Sequence, residues 1–347
     1  MDKVLFVGWG ALGDMIFMLP ALKSLREALP DARIVLATDD NLASRELLPP
    51  LGLVDEIRRW PAVPAERFDA AVVTLAAPVR RYWRALLRAP VRVGQLWPYS
   101  LLSKRGVVAG QWERTLLFNR PLRVVEEDRH MVQRHLELVA TLGLRVPQAA
   151  AARPELPRSP ESEAFAKTAL AGGDGAPVVG LHLGPPNNHY RKMWPPERWA
   201  ETARALHRLR PLRFVVVGGP EERPSVEAFR RDFMGPFVDL AGSVPLSHAF
   251  SVLRRCSLVL ASDTGIAKAA MALGIPTATI WGPTSRRDNG ALWDPERHLE
   301  ITHPSPCEPA VALGMSRGKA RHDCLAKISP ADVVAALRPV IERLAAQ

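Results

Sequence analysis

Four short runs carry residue types suited to phosphate, sugar hydroxyls and protons. In residues 258–284 (LVLASDTGIAKAAMALGIPTATIWGPT), an apolar strand over 258–261 gives way to Ser262-Asp263-Thr264-Gly265 and a helix of small residues over 266–273. Gly274 stops that helix, and a second strand over 277–281 closes in Gly282-Pro283-Thr284. A helix N-terminus offers unpaired N–H groups and the positive end of a dipole, which suits a phosphate. Asp263 would repel that phosphate, so it fits as an acceptor for neutral hydroxyls such as those of a sugar. The plainer reading makes Asp263 an ordinary N-cap.

The run Gly8-Trp9-Gly10-Ala11-Leu12-Gly13 matches the dinucleotide fingerprint letter for letter, after a strand and before a helix. Asp39 ends the next strand, where a ribose-binding acid would sit, so an NAD- or FAD-dependent oxidoreductase is one expectation. Asp14 stands against it, because a carboxylate in that first turn repels a pyrophosphate. The alternative turns this loop toward an acceptor, with Asp14 exposed as a general base. A third reading leaves Asp14 as a partner of the helix dipole.

Residues 187–195 (NNHYRKMWP) follow a strand over 178–183, and their Arg191 and Lys192 suit a diphosphate. Trp194 and Trp199 are expected to pack the next helix onto the sheet. Gly218-Gly219-Pro220-Glu221-Glu222 is another strand-end turn, whose acid suits ribose hydroxyls.

The elements that position these runs alternate strand and helix along the whole chain. That pattern predicts α/β architecture with two doubly wound domains facing a central cleft. The first domain spans 1–150, and a Pro- and Ala-rich linker follows over 151–176. The second domain spans 177–328, and a helix over 329–347 ends the chain.

The chain has 347 residues, 47% hydrophobic and 24% charged, as expected of a soluble globular protein. No apolar run reaches the ~18 residues needed to span a membrane. The opening residues MDKVLFVG read as a strand rather than a signal peptide. Three scattered cysteines fit neither a disulfide framework nor a zinc site, so a cytoplasmic location and no metal are expected. The net charge is +10, and between residues 76 and 125 ten basic side chains stand against Glu113 alone. Such a field implies an anionic partner: nucleic acid, an anionic membrane or an acidic substrate. Arg80, Arg84 and Arg88 share one face if 78–89 is helical, with Tyr82 and Trp83 beside them, as at a membrane interface. Trp97 and Tyr99 add aromatics, but no RNA-binding motif accompanies them, and no nucleic-acid partner is expected.

Taken in order, Gly-Asp14 with Leu19-Pro20-Ala21-Leu22, Lys192-x-Trp194-Pro195, Gly-Gly-Pro-Glu, Asp263-Thr264-Gly265, Ala272-Leu273-Gly274-x-Pro276, Trp281-Gly-Pro-Thr284 and the tail 324–330 resemble glycosyltransferase family 9. These are the ADP-heptose:lipopolysaccharide heptosyltransferases. The resemblance implies a GT-B fold that binds the acceptor on the first domain and the nucleotide sugar on the second, with the terminal helix packing back toward the first. It also implies inverting, metal-independent transfer from an ADP-sugar, without a cofactor, to an anionic glycolipid acceptor of the lipopolysaccharide-core type. A cytoplasmic enzyme would meet that acceptor in peripheral contact with the inner face of the inner membrane.

By residue, the resemblance implies Asp14 as base; Gly13 beside it and the basic face of Arg80, Arg84 and Arg88 are expected to meet the acceptor. It places Lys192 on the diphosphate, Asp263, Thr264 and Gly265 on phosphate and sugar, Glu221 or Glu222 on the nucleotide, and adenine near Ser243 and Val244. Two positions depart from the family pattern: Lys268 replaces a histidine, and Gly10-Ala11 replace hydroxyl residues. Lys268 keeps positive charge near the diphosphate but changes its reach.

Overall fold

The computed structural model describes residues 1–62, 66–74, 77–96, 111–123, 129–172, 175–184, 194–303, 311–312, 315–316 and 324–344. The chain divides into two compact units, Met1–Pro154 with Arg287–Gly290, and Glu155–Arg286 with Ala291–Gln347.

The first unit carries β1 (Lys3–Val7), α1 (Leu12–Ala28), β2 (Arg33–Thr38), β3 (Glu56–Arg59), β4 (Ala70–Val73), α2 (Val79–Leu87), β5 (Val91–Leu96), α3 (Gln111–Leu117), β6 (Arg120–Arg123) and α4 (Met131–Ala140). The strands lie in the order β3-β2-β1-β4-β5-β6, all parallel. Inner strands such as Lys3–Val7 and Ala70–Val73 are apolar along their length because helices cover both faces of the sheet. The order reverses between β1 and β4, so the turn after β1 opens at the topological switch point. α1 packs along α4, burying Ile16, Phe17, Leu136 and Val139.

The second unit repeats the plan with α5 (Pro160–Ala169), β7 (Val178–His182), α6 (Pro196–Leu209), β8 (Arg213–Val216), α7 (Arg223–Asp232), β9 (Phe237–Asp239), α8 (Leu246–Leu253), β10 (Leu258–Ser262), α9 (Gly265–Ala272), β11 (Thr277–Ile280), β12 (His298–Ile301), α11 (Cys324–Lys327) and α12 (Pro330–Arg343), while α10 (Arg286–Asn289) belongs to the first unit from Arg287 on. Its parallel order β12-β11-β10-β7-β8-β9 puts the switch point between β7 and β10. Within the stretch read as linker lies α5, capped by Ser159 and packed on α8 through the Ser162 and Ser251 hydroxyls, 2.9 Å apart. Trp194 and Trp199 meet edge to face at 5.0 Å in the core, and the Trp194 indole N–H donates to the Ile328 carbonyl. The terminal helix α12, implied to return to the first domain, buries Val333, Leu337 and Ile341 in the second unit's own core and lies along α6.

Candidate active site

In the first unit, Gly10 adopts φ +143°, a backbone state that side chains rarely tolerate. A Cβ built there would lie 2.5 Å from Asp14 Cβ and 2.6 Å from Asp14 Oδ2. The Asp14 carboxylate thus lies against the Gly10 backbone, in the first turn where a negative charge would repel a pyrophosphate. Asp14 Oδ2 accepts the Ala11 N–H at 3.0 Å, and the Asn41 amide donates to the Gly10 carbonyl at 2.9 Å. The first of these bonds orients the half-buried carboxylate through Oδ2. Beneath it His135 is fully buried, its Nδ1 3.2 Å from the Phe17 carbonyl. Burial holds that imidazole below its usual pKa, against the Phe17 contact and the Asp14 charge. Gly13 is buried in the first turn of α1.

In the second unit, the N-cap of α9 is Thr264, not Asp263, which overturns the plain capping reading. Asp263 is buried, with Oδ2 accepting the Thr284 hydroxyl at 2.7 Å and Oδ1 3.9 Å from Lys268 Nζ. Lys268 is itself buried, so its charge faces a carboxylate of its own fold. The Gly265 backbone opens α9 at the end of β10, at the switch point. Lys192, with the rest of 185–193, lies outside the described residues.

The turns after β8 and β9 are joined by the Gly242 N–H donating to the Gly218 carbonyl at 2.8 Å. Glu221 is exposed on this edge, while its neighbour Glu222 is buried. Glu222 Oε1 lies 3.5 Å from His182 Nε2, and Glu222 Oε2 has no partner among the described residues. Burial first, then the charge of Glu221, pushes the Glu222 carboxyl up to about 7. Burial likewise lowers His182, whose Nδ1 lies 2.9 Å from the Val217 carbonyl. Both shifts favour neutral forms, so below about pH 7 the contact is an uncharged acid beside an uncharged imidazole rather than an ion pair. Val244 is half-buried and Ser243 exposed in the turn after β9.

The arginine-rich segment divides once folded. Arg114 is buried, donating to the Thr74, Gln95 and Ala77 carbonyls, and burial pulls its pKa down to about 10. Arg80 and Arg84 are exposed on α2 and Arg88 at its C-cap, as their spacing predicts, but Arg80 pairs with Glu113 at 2.5 Å. Trp83 and Leu87 are 45% and 52% exposed on the same helix, which makes that face apolar as well as basic. Trp97, Tyr99, Lys104 and Arg105 lie outside the described residues. Sequence reasoning passed over His182, Thr284 as a partner of Asp263, and Arg81, which stacks on Trp9 and Trp60. Thr284 ends the Gly-Pro-Thr already singled out; nothing in local spacing marks the other two.

Among the described residues no three His, Cys, Asp or Glu side chains converge as a metal site, and no helix is long and apolar enough to cross a membrane. A family model described as glycosyltransferase family 9 (heptosyltransferase) matches residues 100–312. Lipopolysaccharide heptosyltransferase 1 of Pseudomonas aeruginosa is 27% identical over 346 residues, covering 88% of this chain and 86% of its own length. The protein of the same name from Escherichia coli K12 is 26% identical over 315 residues, 81% of this chain and 88% of its own. The solved structure of E. coli ADP-heptose lps heptosyltransferase II matches with a TM-score of 0.69 at 19% identity, over 98% of this chain and 99% of that one. The oxidoreductase expectation finds no support, and the Asp14 carboxylate against Gly10 supplies the physical reason. With two doubly wound parallel sheets and the family's ordered motifs at their strand ends, this chain belongs to glycosyltransferase family 9 and is a glycosyltransferase.

Proposed function

We propose that the protein transfers a heptosyl group from ADP-heptose to a lipopolysaccharide-core acceptor, with inversion and without a metal ion. Its relatives are named for this transfer. The observation that carries the reading is Asp14, an oriented carboxylate at the switch point of the first sheet in a family 9 chain.

In the reaction the acceptor O–H gives its proton to Asp14 as its oxygen bonds to the anomeric carbon from the face opposite the nucleotide. The bond from that carbon to the diphosphate oxygen breaks, and its electron pair leaves with ADP. Negative charge grows on the departing oxygens, where the Thr264 and Gly265 amides at the start of α9 and the Lys192 ammonium stabilise it. Asp263, held by Thr284, fixes that turn, and Lys268 beside it keeps positive charge near the diphosphate. The ribose meets the Glu221–Glu222 turn and the adenine meets Val244. Below about pH 7, where burial keeps Glu222 neutral, it adds no repulsion beside a diphosphate.

The glycolipid acceptor is lipid-anchored, so a cytoplasmic enzyme works against an anionic leaflet. The α2 face, with Arg84, Arg88, Trp83 and Leu87 exposed, suits peripheral contact there.

The test supplies ADP-heptose and heptose-deficient lipopolysaccharide to the purified protein with EDTA present, and reads the new linkage by NMR. Inverted product is expected, and Asp14→Asn should bind ADP normally yet lose about 10²–10⁴ in kcat. Retained configuration, a metal requirement, or near-normal turnover by Asp14→Asn would refute the mechanism.

A further inference from the structure

Arg81 is the arginine of α2 that helical spacing did not select, and its surroundings differ from those of its neighbours. Its guanidinium carbon lies 5.1 Å from the centre of the Trp9 ring and 4.5 Å from that of Trp60. Trp9 belongs to the turn that carries Asp14, and Trp60 directly follows β3 on the same sheet edge. Both indoles pack against the first unit's core, and Trp60 meets the fully buried Tyr82 ring edge-on at 6.2 Å. The rings are therefore anchored, and the guanidinium is fixed by them while Arg81 stays exposed.

Three nearby arginines have their charge answered within the fold. Arg80 pairs with Glu113, Arg45 with Asp40, and Arg114 sits on carbonyls. Among the described residues Arg81 pairs with no carboxylate. A guanidinium stacked on its faces still has its N–H edge free, and that edge matches the two oxygens of a carboxylate or phosphate. Aromatic stacking also settles its orientation before a ligand arrives, which lowers the ordering cost of binding.

We infer that Arg81, held between Trp9 and Trp60, binds an anionic group of the acceptor sugar and so positions the acceptor at the Asp14 turn. The group is a carboxylate or a phosphate. This rests on the acceptor side of the proposed activity.

Wild-type protein and the Arg81→Gln and Arg81→Lys variants are compared on three acceptors: deacylated lipopolysaccharide inner-core oligosaccharide, its carboxyl methyl ester, and its dephosphorylated form. Loss of a charge-assisted bidentate contact raises acceptor KM by about 10- to 100-fold, with kcat and ADP affinity unchanged. For wild type one masked form shows this rise, and which one identifies the group. Arg81→Gln should show the same rise on the intact oligosaccharide and none further on that masked form. Arg81→Lys should not restore the wild-type KM, because an ammonium lacks the planar fork. The inference is overturned if Arg81→Gln responds to masking as wild type does, or if its KM is unchanged. The same series is read by quenching of tryptophan fluorescence, so absence of transfer by wild type counts against the proposed activity alone. Unaltered oligosaccharide binding by Arg81→Gln in that assay overturns the inference by itself.

Discussion

Glu222→Gln tests whether the second unit holds a neutral carboxylic acid at its nucleotide edge. In the unfolded chain this acid titrates near its ordinary value of 4.5, whereas burial raises it to about 7 in the folded protein. Below pH 4.5 both states are protonated and the full stabilisation is present. As pH climbs toward 7 the unfolded state sheds a proton that the folded state keeps, so stability falls, and above 7 the loss is complete. The gap corresponds to about 3 kcal/mol, with only 4% of the residue exposed to screen it. Glutamine keeps the shape and cannot ionise. Urea unfolding of wild type and Glu222→Gln, compared at each pH, cancels the titration of all other groups. From pH 5 to 8.5 wild type should lose about 2–3 kcal/mol relative to the variant. ADP affinity should weaken above pH 7 in wild type alone, because an ionised Glu222 then repels the diphosphate. A difference in stability that stays flat across the range would refute the reasoning. So would an infrared carboxyl signal already absent at pH 6.

Three further outcomes follow from the geometry. Gly10→Ala must fit a Cβ against the Asp14 carboxylate at φ +143° and should cost about 1–3 kcal/mol in thermal unfolding. Its kcat should fall while ADP affinity holds, and an unchanged kcat would show that the turn does not orient Asp14. Asp288→Ala strips Arg134, 2% exposed, of its carboxylate at 2.9 Å, which should destabilise the protein by about 3–5 kcal/mol; an unshifted urea midpoint would contradict this. Arg84→Gln with Arg88→Gln should weaken sedimentation with anionic liposomes at low salt and leave ADP binding alone; wild-type liposome binding by this double variant would remove α2 from any membrane role.

The sequence alone determined the two sheets and the edge on which chemistry gathers. Strands covered on both faces must be mainly apolar, so Lys3–Val7, Val178–His182 and Leu258–Ser262, each with one polar residue at an end, stand out as short runs, and the polar turns after them fall at the C-terminal edge of a parallel sheet. Asp14, Thr264 and the Gly218–Glu222 turn were therefore legible at once. Their partners were not, because pairing depends on chain segments far apart in sequence. Asp263 is answered by Thr284, 21 residues on, and Arg134 by Asp288, 154 residues on. Glu221 and Glu222 are adjacent, yet a short 3-10 turn exposes one and buries the other against His182 from a different strand. Helical spacing grouped Arg80, Arg84 and Arg88, but it could not tell which arginine of α2 would meet Trp9 and Trp60. That was decided by the strand ends against which the helix packs, since charge and reactivity in a folded chain are set by what surrounds a side chain in space.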